Sequence, residues 1–192
     1  MSEITIEPAV AARFADLEHI LNGGGDGTSC QCQWWMLRGK DFDATTQADR
    51  ETMLRHEVTA GPPPIRLAYV GGAPAAMVRI GPRPAQARLR HTRAYAQTAR
   101  PEWTDTTIWA VTCFVVRREF RGSGLNAALL DAALDYARAG GAHVVEAYPV
   151  DASSGRKPAN DLFHGVLSTF TQAGFREVAR PKPATAIVER EV

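Results

Sequence analysis

Residues 107–150 read TIWAVTCFVVRREFRGSGLNAALLDAALDYARAGGAHVVEAYPV. Thr107 to Val116 is an uncharged run of β-branched and aromatic residues, the composition of a buried strand. Arg117 to Gly124 is polar and holds two glycines, which marks a turn. Leu125, Ala128, Leu129, Ala132, Ala133 and Tyr136 then recur along one face of a helix that Gly140 and Gly141 end. Val144 to Val150 is apolar again and reads as a second strand. Strand, helix and strand in this order predict a crossover unit with a parallel strand pair.

The flanking regions supply the rest of a sheet. Ile4 and Ile6 begin a short strand, and Val10, Phe14, Leu17 and Leu21 mark a helix over residues 8–21. The glycine run from Asn22 to Gly27 breaks it, and Cys30, Cys32, Trp34 and Trp35 follow. A helix is expected over 46–59, capped by Thr45 or Thr46, with Met53, Leu54 and Val58 facing inward. Residues 65–70 and 73–80 flank Gly71 and Gly72 and predict a hairpin. Residues 81–102 are arginine-rich and read either as a short helix or as an excursion loop. Leu162, Phe163, Val166, Leu167 and Phe170 predict a core-facing helix over 160–173, which Gly174 ends. Residues 175–179 and 186–192 read as strands around a Pro-Lys-Pro turn. The expected fold is α/β (α+β), a mixed sheet flanked by helices, in one domain over residues 1–192.

Composition excludes several functions. The 192 residues carry 22 Lys plus Arg against 21 Asp plus Glu, a net charge of +1, which argues against a dedicated nucleic-acid binder. A 45% hydrophobic content argues against a disordered tail. No apolar run reaches the roughly 18 residues of a membrane span. The start from Met1 to Glu7 carries acids where a signal peptide has Lys or Arg, and three cysteines cannot all pair, so free thiols and a cytoplasmic location are expected. Charge placement is less even than the total. No acid lies between Glu57 and Glu102, where Arg66, Arg79, Arg83, Arg88, Arg90, Arg93 and Arg100 fall. That stretch reads either as a field for anions or as a face paired with acids from elsewhere.

The chemistry is concentrated at Arg121, Gly122, Ser123, Gly124, Leu125 and Asn126. A strand running through a glycine turn into a helix converges backbone N–H groups on one point, an anion site that suits a pyrophosphate. Neither a Gly-Lys-Ser/Thr nor a third glycine is present, so the two common nucleotide fingerprints do not apply. This loop resembles that of the GNAT superfamily of acyl-CoA-dependent N-acetyltransferases, Arg/Gln-x-x-Gly-x-Gly/Ala, with Arg121, Gly124 and Asn126 at its defining positions. Asn126 departs from the usual Gly or Ala. Phe170 to Phe175 resembles the family's Tyr-x-x-x-Gly-Phe, and the likeness is best over residues 65–180.

The resemblance implies a sheet splayed between residues 107–116 and 144–150, with acetyl-CoA as co-substrate held there. Phe114, Val115 and Val116 would pair with its pantetheine arm, and Arg121 to Asn126 would hold its phosphates. The acceptor implied is an amine of a small molecule or peptide, with no nucleic acid and no membrane as partner, and a homodimer is compatible. A lysine-like amine is neutral to only roughly one part in 10³ at pH 7, so a proton acceptor is useful. Attack creates an oxyanion that a backbone N–H near Cys113 or Phe114, at a strand bulge, can stabilise.

Phe170 replaces the family's proton-donating Tyr, which leaves Ser168, His164 and Tyr148 as substitutes. His164 shares helical spacing with Asp161, Ser168 and Thr171, the pattern of a polar face. No carboxylate occurs from Thr106 through Arg118, so Glu146, Asp151 or water would act as base, with Glu146 equally readable as a structural ion pair. Trp34 and Trp35 would border the acceptor, one of them packing into the core. Cys113 reads as a neighbour of the thioester or a small buried hydrophobe. Cys30 and Cys32 read as free thiols with no metal, against the rival of a metal-binding protein that adds a histidine. A second rival is a non-catalytic acyl-CoA-binding or sensor protein, favoured by Phe170 and the carboxylate-free central strand.

Overall fold

A computed structural model describes residues 3–153, 155 and 157–192; Met1 and Ser2, part of the acidic start, lie outside the described residues. The chain runs through β1 (Ile4–Pro8), a 3₁₀ turn at Ala11–Arg13, α1 (Phe14–Leu21), α2 (Gly27–Cys30), α3 (Gly39–Asp43) and α4 (Gln47–Ala60). There follow β2 (Ile65–Val70), β3 (Ala73–Pro82), α5 (Ala87–His91), β4 (Ile108–Val116) and α6 (Leu125–Ala139). The last elements are β5 (Val144–Ala147), α7 (Leu167–Gln172), β6 (Arg176–Lys182) and β7 (Thr185–Glu191). The strands form one seven-stranded sheet in the order β1-β2-β3-β4-β5-β7-β6.

Local chemistry explains several of these elements. Thr46 caps α4 through a reciprocal box, its Oγ1 accepting from the Asp49 N–H at 3.2 Å while the Asp49 carboxylate accepts from the Thr46 N–H at 2.8 Å. Leu54 and Val58 of α4 are buried as expected, but Met53 is 37% exposed. Gly71 and Gly72 both take positive φ, the conformation a two-residue hairpin turn demands between β2 and β3. The arginine-rich excursion is a 3₁₀ turn at Arg83–Ala85 followed by α5 and then loop.

The crossover unit forms as expected, with α6 linking β4 to β5. These are parallel, Ile108 opposite Val144 through Val111 opposite Ala147, while every other adjacent pair in the sheet is antiparallel. β5 ends at Ala147 rather than Val150, so the second half of β4 has no β5 partner. A bulge falls at the same level. Arg79 faces Cys113 and Ile80 faces Val111, leaving Thr112 as the extra residue of β4.

The bulge changes which face each side chain meets. Val111 and Phe114 join the α6-side core with Leu129, Leu130 and Ala133, while Ala110 and Cys113 join the opposite core with Leu17, Cys32, Trp35 and Leu54. Strict alternation would have put Cys113 with Val111.

The expected helix over 160–173 is broken. A 3₁₀ turn spans Ala159–Leu162, and only Leu167–Gln172 is α-helical. Between them Gly165 takes φ +78°, and a Cβ there would lie 2.8 Å from Phe170 Cε2 and 3.2 Å from Phe114 Cε2. The intervening chain adopts strand-like pairing: the Gly165 carbonyl accepts from the Val150 N–H at 2.9 Å, and the Leu167 N–H donates to the Val150 carbonyl at 2.9 Å. The Phe114 N–H donates to the Phe163 carbonyl at 2.7 Å. Gly165→Ala combines backbone strain with a ring clash and is expected to lower stability by about 2 kcal/mol or more, read from the urea midpoint.

Candidate functional site

A cavity of about 680 Å³ opens where β4 parts from β5. Its wall contains Cys113 to Val116 of β4, then Arg121, Gly122, Gly124, Leu125 and Asn126 of the turn into α6, and also Cys30, Cys32, Trp34 and Trp35. One continuous space therefore joins the glycine turn to the two tryptophans. Gly122 and Gly124 have φ of +79° and +78°, the left-handed region where a side chain is strained. The N–H groups of residues 122–126 have no acceptor among the described residues, so they remain available to an anion. Arg121 is exposed, its Nε donating to the Val116 carbonyl at 3.3 Å. Asn126 keeps a buried Oδ1 without a partner. Ser123 is outside the wall, its hydroxyl donating to the Phe120 carbonyl.

Trp34 is 38% exposed and carries the Arg88 guanidinium 3.7 Å above its ring, while Trp35 is buried. This is the expected division of the pair. The Phe114 N–H, an expected oxyanion donor, is occupied by the Phe163 carbonyl, and a ligand carbonyl can use it only by displacing that bond. Phe170 is fully buried against Phe114 and Phe175.

None of the four residues expected to move protons is in the cavity wall. Glu146 is fully buried and ion-paired with Arg83 at 2.8 Å, with Thr98 and Tyr148 as further hydroxyl donors. The Tyr148 hydroxyl donates to Glu146 at 2.9 Å, and burial followed by that carboxylate raises its pKa well above the ordinary phenol value. Ser168 is exposed on α7. Asp151 receives Arg180 at 2.7 Å and the Ser153 N–H at 3.0 Å, and its carboxyl is held down to about 2, first by Ser153.

His164 is not on a polar face. The break at Gly165 turns it inward among Trp35, Tyr95 and Phe163, where burial lowers its pKa to about 3. It lines a smaller space of about 300 Å³ together with Tyr95 and Tyr148. Three of the seven arginines in the acid-free stretch are ion-paired. Arg79 pairs with Glu57 at 2.6 Å, Arg83 with Glu146, and Arg100 with Glu189 at 3.0 Å, and none of the three lines the large cavity. Paired acids from elsewhere, rather than a free cationic field, are the outcome for these three.

What the sequence reading undervalued was the thiols. Cys30, Cys32 and Cys113 all line the cavity, and Asp26 is its single carboxylate among the described residues. The signal was present in the Cys-x-Cys spacing, but the third member is brought in by the bulge. No three His, Cys, Asp or Glu side chains converge on a metal position among the described residues. No described helix is long and apolar enough to cross a membrane.

A splayed mixed sheet with a glycine turn at its mouth defines a class of acetyl-group transferases. The acetyltransferase (GNAT) family model matches residues 31–165, and the chain belongs to that family. Solved structures agree in fold at low identity. A Streptococcus pneumoniae GNAT acetyltransferase is 17% identical with a TM-score of 0.56, covering 99% of both chains. A ribosomal-protein-alanine N-acetyltransferase from Brucella melitensis is 16% identical with a TM-score of 0.58, covering 98% of this chain and 99% of its own. A Thermoplasma acidophilum PaiA N-acetyltransferase, solved in complex with coenzyme A, is 10% identical with a TM-score of 0.57, covering 99% of both. No curated protein matches the sequence.

Removing one partner of the buried Arg83–Glu146 pair strands a charge, so Glu146→Ala is expected to cost about 3–5 kcal/mol in urea unfolding. His164 gives a pH signature. Its folded pKa lies below the unfolded value, so the unfolded chain binds the extra proton. Its contribution is complete above about pH 6.5 and is lost as pH falls toward 3, by roughly 1.4 kcal/mol per pH unit. His164→Phe should flatten the dependence of the urea midpoint on pH between about 6 and 4.

Proposed function

We propose that this protein transfers an acetyl group from acetyl-CoA to a primary amine of a small molecule or peptide. The observation that carries the reading is the single cavity shared by the glycine turn, the part of β4 beyond its pairing with β5, and the exposed Trp34. In this reading the free N–H groups of residues 122–126 and the Arg121 guanidinium hold the phosphates. Phe114, Val115 and Val116 offer backbone groups to the pantetheine arm, and Trp34 and Trp35 border the amine. Acetyl-CoA supplies an activated acyl carbon with a thiolate leaving group. The residues present suit it, because two left-handed glycines leave the anion cradle open where a Cβ would be strained. Fold relatives solved with coenzyme A support the same donor.

Asp26, exposed, is the single carboxylate of the wall among the described residues and gives the cavity little negative charge for polyamines. Their ion pairs hold Arg79, Arg83 and Arg100 away from the acceptor side of the cavity. An amine with an apolar body suits these walls best.

A second reading, a non-catalytic acyl-CoA-binding or sensor protein, is favoured by one observation: Glu146, Tyr148, His164 and Ser168 all lie outside the cavity wall. The two separate cleanly. Titration calorimetry should detect acetyl-CoA binding, and Gly124→Glu, which puts a strained carboxylate into the anion cradle, should weaken it at least about tenfold while the fold survives. Unchanged binding in that variant would remove the proposed phosphate site. Thiol release above background with a panel of amines would exclude the sensor.

A further inference from the structure

Trp34 is the one exposed aromatic side chain among the described residues, and it is exposed in the cavity wall. An indole left open in a folded chain calls for a reason, because few side chains gain as much by burial. Behind it stands a charge. The Arg88 guanidinium of α5 lies 3.7 Å from the centre of the Trp34 ring and does not itself line the cavity. It therefore covers ring surface that the cavity does not reach, and the open part of the indole is left to an occupant.

Two arginines clamp this wall in place. Arg88 Nε donates to the Trp34 and Leu37 carbonyls, the latter at 3.0 Å, and the Arg88 backbone N–H donates to the Trp35 carbonyl at 3.1 Å. Its Nη2 is buried with no hydrogen-bond partner. Phe42 of α3, also in the wall, meets Trp34 edge-on at 5.1 Å, and the buried Arg50 of α4 lies 4.3 Å from the centre of the Phe42 ring. Arg50 donates to the Ser29 and Thr45 carbonyls at 2.7 and 2.6 Å. The segment from Ser29 to Thr45 is thus pinned at both ends and in its middle, with a cation backing each of its two wall rings.

We infer that Arg88 is a specificity-determining residue that makes Trp34 a platform for a neutral aromatic group on the acceptor amine and a poor host for a second cation. The inference rests on the acetyl-transfer reading above and names the acceptor class within it.

A ring that holds a cation on one face attracts another on its opposite face weakly, because the two charges repel and the same electron density serves both. A polyamine keeps at least one ammonium after its reacting nitrogen has lost a proton. That charge would meet the Arg88-backed indole in a wall whose single carboxylate among the described residues is the exposed Asp26. A neutral aromatic plane meets no such repulsion and packs offset or edge-on against the indole. An amine on a short alkyl arm from that plane gives up its one charge in order to react.

Position in the cavity favours the acceptor over the coenzyme's own adenine as the group on Trp34. Trp35, the next residue, packs on Phe163, whose carbonyl takes the Phe114 N–H. Phe114 is at the end of the 114–116 stretch away from the glycine turn, whereas adenine is joined to the phosphates assigned to residues 121–126.

Initial rates of thiol release, with either substrate varied, test this with phenethylamine, cyclohexylethylamine, tryptamine and spermidine. Wild-type kcat/KM should be at least about fivefold higher for phenethylamine than for cyclohexylethylamine, which has the same reach without a π face, and should be lowest for spermidine. Arg88→Met keeps the length and removes the charge. It should raise KM for phenethylamine at least about threefold, lower KM for spermidine and leave KM for acetyl-CoA unchanged, while Arg88→Lys keeps the wild-type order of amines. Equal use of the phenyl and cyclohexyl amines by the wild type, or a preference for spermidine, would overturn the inference without any variant. So would unchanged kinetics in Arg88→Met, a loss shared equally by all the amines, or a raised KM for acetyl-CoA, which would put adenine on Trp34. Each of these leaves acetyl transfer standing, as does turnover confined to amines outside this set, which overturns the inference alone. Turnover of no amine at all would overturn both.

Discussion

Ile108 to Val111 of β4 pair with β5, and the next residue, Thr112, is the bulge at which β4 changes face. Two consequences follow from that position. Past it, β5 has ended, so the backbone of residues 112–116 loses a sheet neighbour on one side and the cavity opens there. Past it, too, side-chain alternation is reset, so Cys113 faces Cys32 and Trp35 while Phe114 faces Phe170. Backbone N–H groups exposed by such a parting need partners. One is found in the Phe163 carbonyl, which explains why residues 163–167 run as a partial strand rather than as helix.

Buried charge secures the other side of the molecule. Arg83 and Glu146 are both fully buried, and the guanidinium also donates to the Arg100 and Glu102 carbonyls at 2.9 and 3.0 Å. A charge in that position is tolerated because Nη1 and Nη2 are paired, although Nε is buried without a partner. The result ties the excursion between β3 and β4 to β5, while Glu189, accepting from Arg100 and Arg176, ties it to β7. Three of the seven arginines in the acid-free stretch, Arg79, Arg83 and Arg100, therefore close on acids contributed by α4, β5 and β7.

Elements stabilised by near neighbours were legible in the residues. The Thr46–Asp49 box, the Gly71–Gly72 turn and the strand-helix-strand run over 107–150 each depend on contacts within a few positions or on a long periodic stretch. The segment over 160–173 misled for a specific reason. Its apolar spacing fits a helix, but Gly165 must pass between Phe114 and Phe170, and only the packed rings demand the left-handed turn. His164 followed it, moving from an expected polar face to an aromatic pocket. Glu146 and Tyr148 were attractive as proton carriers because they sit on the strand beside the expected cleft, yet strand alternation and the position of Arg83 bury them together.

By itself the sequence determined the fold class and the glycine turn into α6, because hydrophobic periodicity and obligatory glycine conformations are local properties. It also supplied the free cysteines and the missing Tyr at Phe170. Tertiary structure decided which of these residues share a space. One extra residue in β4, visible only from its pairing with β3, brings Cys113 to Cys32, and partners far away in sequence commit Glu146 and His164 to the interior. Register and charge pairing between distant segments are properties of the packed sheet, and no pattern within a single strand specifies them.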